Sequence, residues 1–157
     1  MNLGEKARVL IPAFTFGAVP SAVVHANCVP VLCECGMDYR IDIDDFLCKL
    51  ESVDAVLISH MRGHTSDMDA IFAQCEEEGL PNIEDAAHSL GTTWNGQMIG
   101  TFGKVGCFSF QSYKLLNSIK EGESEQISLL DEKIDQFKNG NNSKSFLDEL
   151  GSLYLSI

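Results

Sequence analysis

The sequence predicts an α/β fold with a mostly parallel sheet and helices on both of its faces, a three-layer α/β/α arrangement. Three observations carry that expectation. Short apolar runs alternate with segments of helical period along most of the chain, which is the pattern of strand–helix–strand units. Ala55 to Ser59 has no polar alternation, as befits a strand buried on both faces. Two further runs end in residues able to do chemistry: Asn82-Ile83-Glu84-Asp85 stops at a carboxylate, and Lys104 to Phe110 passes Ser109 before reaching Lys114. In open α/β sheets ligands sit beyond the carboxyl ends of the strands, so such ends are where a site is expected.

Taken in order, Arg8 to Ile11 is a short apolar strand closed by Pro12, whose ring keeps the preceding residue extended. A helix follows over Ala18 to Ala26, with Pro20 tolerable in its first turn. Val29 to Cys33 is the next strand. Asp42 then stands as N-cap of a helix from Ile43 to Glu51, in which Ile43, Phe46, Leu47 and Leu50 recur at helical spacing. After the strand at 55–59, Ser66 is expected to cap a helix from Asp67 to Glu78, with Gly79 where a left-handed C-terminal residue is wanted. Thr92 to Ile99 reads as a hairpin turning at Asn95-Gly96. Beyond Lys114 the pattern weakens to a strand over Gln126 to Leu130, a helix over Asp131 to Lys138, a polar loop, and an amphipathic helix over Ser145 to Leu155.

Composition narrows the function. With 157 residues, 45% of them hydrophobic, the chain suits one domain burying about two-thirds of its unfolded surface. A net charge of −12 argues against nucleic acid, whose affinity for proteins rests on Lys and Arg neutralising phosphates. No run approaches the roughly 18 apolar residues of a membrane span, and the first residues do not resemble a signal peptide, so the expected location is cytoplasmic. The six cysteines fit reduced thiols. Cys28, Cys33, Cys48 and Cys107 sit in apolar runs as small hydrophobes, and no CxxC pair suggests a metal among Cys28, Cys33 and Cys35. His60 and His64 read as loop or core histidines and not as ligands.

Five blocks then carry a resemblance: IPAFTF at 11–16, SHMRGHTSDMDAI at 59–71, IEDAAHSLG at 83–91, IGTFGKVGCFSF at 99–110, and the QSYK that follows. In order and spacing they resemble the DegT/DnrJ-type sugar aminotransferases, pyridoxal phosphate (PLP) enzymes of the aspartate aminotransferase fold. The resemblance covers residues 3 to 135. It implies that Lys114, five residues after Ser109, is the lysine that holds the cofactor covalently and then moves the proton between substrate and cofactor carbons. It implies that Asp85 pairs with the pyridine nitrogen, that His88 lies near the cofactor hydroxyl, that Ser109 binds the phosphate, and that Phe16 stacks on the ring. Taken without the resemblance, Lys114 would be a surface lysine, Asp85 a helix N-cap, His88 a buried histidine and Phe16 a core residue.

The same resemblance implies a partial PLP-binding large domain over residues 1–138 and a divergent, helical tail over 139–157. On this resemblance the family's glycine-rich phosphate loop is expected upstream of the matched segment, and its small C-terminal domain is expected to be absent. Its GEGG block is replaced by Gly122-Glu123-Ser124-Glu125 within an altered stretch from Ile119 to Glu125, where serine and glutamate lack glycine's access to positive φ. The implied activity is transfer of an amino group from glutamate or glutamine to a keto-sugar nucleotide by a homodimer. Two alternatives stand beside it: a catalytically silent fragment that associates with a full-length relative, and a protein of the same fold serving dehydration or regulation, which Lys114 disfavours.

Overall fold

The computed structural model describes residues 3–110. Residues up to Phe108 form one compact unit, and Ser109 opens a second, of which Ser109 and Phe110 are described. The strand and helices anticipated between Gln126 and Leu155 lie outside the described residues.

Five strands make one sheet: β1 (Arg8–Pro12), β2 (Val29–Cys33), β3 (Ala55–Ser59), β4 (Asn82–Asp85) and β7 (Val105–Cys107). Their order is β2-β1-β3-β4-β7, and every pairing is parallel. Between them run α1 (Ala18–His25), α2 (Ile43–Leu50) and α3 (Met68–Glu77), while β5 (Thr93–Trp94) and β6 (Gln97–Met98) form a separate hairpin.

The three layers follow from strand alternation, since successive side chains leave a strand on opposite faces. Val9, Ile11 and Ala55 face one way and pack with Val19 and Val23 of α1. Leu10, Val56 and Ile58 face the other way, against Phe46 and Leu50 of α2 and Ile71 and Cys75 of α3. Each fully buried side chain of this size stabilises the fold by about 1.5–3 kcal/mol relative to exposure. A third cluster joins Met68, Ala86 and Ile99 with partly buried Trp94, Phe102 and Phe108, and it fixes the loop after β4 beneath the hairpin.

Most local expectations hold. The Asp42 side chain accepts from the Asp45 amide at the start of α2, and Gly79 has φ +63°. The hairpin turns at Asn95 (φ +48°) and Gly96 (φ +84°), the conformation that Asn-Gly favours. Four expectations are corrected. Asp67, not Ser66, caps α3, accepting from the Ala70 amide at 3.0 Å, because the Ser66 hydroxyl is buried and accepts from the Ile41 amide at 2.9 Å. The last strand stops at Cys107 instead of Phe110, because Phe108 turns into the third cluster. Leu47 is exposed, so the buried stripe of α2 is Phe46 and Leu50 with Ile43 partly covered. Cys48 and Cys107 are exposed, whereas Cys33 and Cys75 are core thiols.

Candidate active site

Because all five strands run the same way, Pro12, Cys33, Ser59, Asp85 and Cys107 end at one edge of the sheet. Ser59, Asp85 and Cys107 are level in the register of adjacent strands.

Asp85 is half-buried at the end of β4. Its Oδ2 accepts from the Ser59 hydroxyl at 3.0 Å and its Oδ1 from the Ala87 amide at 3.1 Å. The residues after it form turns and not an α-helix, so the carboxylate caps no helix. Each oxygen therefore has one described donor and keeps capacity for another, since an ionised carboxylate offers about four acceptor positions. The backbone is fixed as well: the His60 amide donates to the Asp85 carbonyl at 3.0 Å, and the Ala86 amide donates to the Cys107 carbonyl at 2.8 Å. Partial burial and the Asp85 charge push the Cys107 thiol up, which keeps it protonated.

Two loops leave the sheet at this same edge. Phe16, between β1 and α1, is 56% exposed, so it is no core residue but an aromatic face presented at this edge. Its carbonyl accepts from the Val19 amide in the first turn of α1. His88 is exposed too, not buried, and its Nδ1 accepts from the Arg62 amide at 3.4 Å. Arg62 has φ +55°, an uncommon conformation for a non-glycine residue. Ser109 is half-buried and belongs to the second unit, and Lys114 lies outside the described residues. The structure thus brings Phe16, Asp85 and His88 to one sheet edge.

Sequence reasoning missed what lies beneath Asp85. Glu84 is fully buried and so is His60, whose Nε2 lies 3.3 Å from Glu84 Oε2. The same carboxylate accepts from the amides of Gly100 at 2.7 Å and of Phe102 and Gly103 at 2.6 Å. Burial alone would raise the Glu84 pKa, but the His60 hydrogen bond and the Gly103 and Gly100 amides outweigh it and hold the carboxyl below its usual range. The one legible signal was a second carboxylate next to Asp85 in the same short strand. Among the described residues no group of three or more His, Cys, Asp or Glu gathers to hold a metal.

The model of the DegT/DnrJ/EryC1/StrS aminotransferase family matches residues 1–138, most of the chain. The chain belongs to that family. Within it, GDP-perosamine synthase from Vibrio cholerae is 34% identical over 124 residues, covering 78% of this chain and 34% of its own length. UDP-N-acetyl-3-dehydro-alpha-D-glucosamine 3-aminotransferase from Acidithiobacillus ferrooxidans is 32% identical over 132 residues, with the same coverage of 78% and 34%. Among solved structures, the aminotransferase TlmJ from Streptoalloteichus hindustanus superposes with a TM-score of 0.68 at 29% identity, covering 74% of this chain and 32% of that one. This member of the aminotransferase family therefore spans about a third of the length of the curated relatives it matches.

Proposed function

We propose that this chain is the PLP-binding part of an aminotransferase that moves an amino group from glutamate or glutamine to a keto-sugar nucleotide. The observation that carries the reading is Asp85: an acceptor-only side chain at the carboxyl edge, each oxygen held by one donor and open to another. A protonated ring nitrogen needs such a partner, so the residues present fit the cofactor. The bound cofactor would supply an electron sink for the carbon that loses its proton.

In this reading Asp85 holds the ring nitrogen in its protonated form, and the exposed face of Phe16 orients the ring by stacking. His88, whose Nδ1 accepts from the Arg62 amide, lies near the cofactor hydroxyl. The Ser109 hydroxyl binds phosphate, and the Lys114 amine holds the cofactor and carries the proton. Residues 1–138 form part of the cofactor-binding domain. The names of the relatives, one a GDP-sugar synthase and one an aminotransferase of a dehydro-sugar nucleotide, support the substrate class. Reduced core thiols at Cys33 and Cys75 suit the cytoplasm. No helix among the described residues is long and apolar enough to cross a membrane. Exposed Val24, Leu32, Met37 and Tyr39 support association into a homodimer.

The test is a PLP titration followed by single-turnover conversion of the bound cofactor to its amine form with glutamate. Conversion is expected in the wild-type chain and is expected to fall steeply in Asp85→Asn with PLP still retained. Loss of one partner of a buried charge-assisted contact typically costs about 2–5 kcal/mol. Equal conversion by both proteins would refute the role given to Asp85.

A further inference from the structure

We propose that His60 and Glu84 are positioning residues that set the direction of the Asp85 carboxylate, a role that rests on Asp85 being the partner of the ring nitrogen. The case is the way Ser59, the last residue of β3, and His60, the next one, grip two consecutive residues of the neighbouring strand β4. Ser59 donates its hydroxyl to Asp85 Oδ2, while His60, the next residue, meets Glu84 with its ring and the Asp85 carbonyl with its backbone amide. Neighbouring residues of a strand point to opposite faces, so Asp85 is held on one face of β4 and Glu84 on the other. The backbone that carries Asp85 is thereby pinned from both faces of β4, which fixes where its carboxylate starts, and the Ser59 hydroxyl and the Ala87 amide then fix its direction.

The pinning is deep. Both His60 and Glu84 are fully buried, and the three amides of Gly100, Phe102 and Gly103 complete the Glu84 coordination. Because that carboxylate is an acceptor, the His60 nitrogen facing it carries the hydrogen. Nδ1 is buried and has no hydrogen-bond partner among the described residues, so among them the ring's hydrogen bonding goes to Glu84. The His60 carbonyl is itself held by the Ser89 hydroxyl at 3.2 Å and the Gly63 amide at 3.0 Å, which links it to the loop bearing His88. A buried, fully coordinated carboxylate one residue from a carboxylate left half-open is the arrangement of a support beneath a working group.

The test compares His60→Ala, His60→Gln, Glu84→Gln and Asp85→Asn by thermal unfolding, by PLP affinity, and by the visible absorption maximum of the bound cofactor. Glutamine at 60 can still donate an amide hydrogen to Glu84, so that variant is expected to keep the wild-type band and affinity. His60→Ala and Glu84→Gln are expected to move the band toward the position seen in Asp85→Asn and to weaken PLP binding. A misplacement of about 1 Å at a reacting centre costs on the order of a hundredfold in rate, so half-transamination should fall with them. If His60→Ala does not fold, Glu84→Gln, which preserves volume and one carbonyl oxygen, decides alone. Folded variants with the wild-type band and affinity, whatever their melting temperature, would overturn the proposal and leave the pair a purely structural one. An Asp85→Asn band identical to wild type would instead show that the reading of Asp85 itself is wrong.

Discussion

Glu84 shows how much one side chain can hold when its partners come from separate parts of the chain. Removing it in Glu84→Ala would strand three amides and a histidine in the interior, and breaking a buried charged pair typically costs about 3–5 kcal/mol. Denaturant melts should show a loss of that size with little change in m-value. Its pH dependence has a defined sign. The folded pKa lies below the ordinary 4.5, so the unfolded chain takes up the proton first as pH falls. The stability that Glu84 provides is fully present above about pH 4.5 and is lost as pH drops from there through the folded pKa. Glu84→Gln should flatten that part of the stability profile, and an unchanged slope would contradict the assignment. Beyond a second carboxylate beside Asp85, none of this was legible beforehand, because Glu84 becomes a buried hub only once residues 100–103 return to β4. Asp85, at the end of an apolar run, was legible.

At the scale of elements, the sequence announced what is locally encoded. The Asp42 cap, the Asn95-Gly96 turn and the limits of β2 and β3 follow from capping, turn chemistry and apolar runs. What it could not announce was competition between neighbours. Ser66 and Asp67 are both good caps, and a distant amide, that of Ile41, takes Ser66. Asp67→Ala should therefore cost about 1 kcal/mol by loss of the α3 cap, measurable in a urea melt. The β4–β7 pairing rests on a close approach at Gly106, where an added Cβ would fall 1.9 Å from the Gly100 carbonyl oxygen. That neighbour is backbone and cannot step aside. Gly106→Ala is expected to unpair β7 while leaving β1, β2 and β3 in place. Hydrogen exchange should show faster exchange at Val105 to Cys107 and at Gly100, Phe102 and Gly103. Unaltered protection at these amides would contradict the packing described.

For the whole molecule, the fold class was legible because a parallel sheet needs crossover helices, and the strand–helix alternation displays them. The site was legible in part. Asp85 and Phe16 were singled out by the order and spacing of blocks, and their common edge follows from the parallel topology. The support under Asp85 depends on register and on the return of residues 100–103 to β4, which no short pattern encodes. The proposed function requires that PLP bind at the carboxyl edge of the sheet with Asp85 at the ring nitrogen and become attached at Lys114. The most direct measurement is borohydride reduction of the chain incubated with PLP, followed by peptide mass mapping. A single stable cofactor adduct on Lys114 is expected, formed by the wild-type chain and by Asp85→Asn alike. An adduct on Lys104 or Lys120 with Lys114 unmodified, or no adduct at saturating PLP, would contradict it.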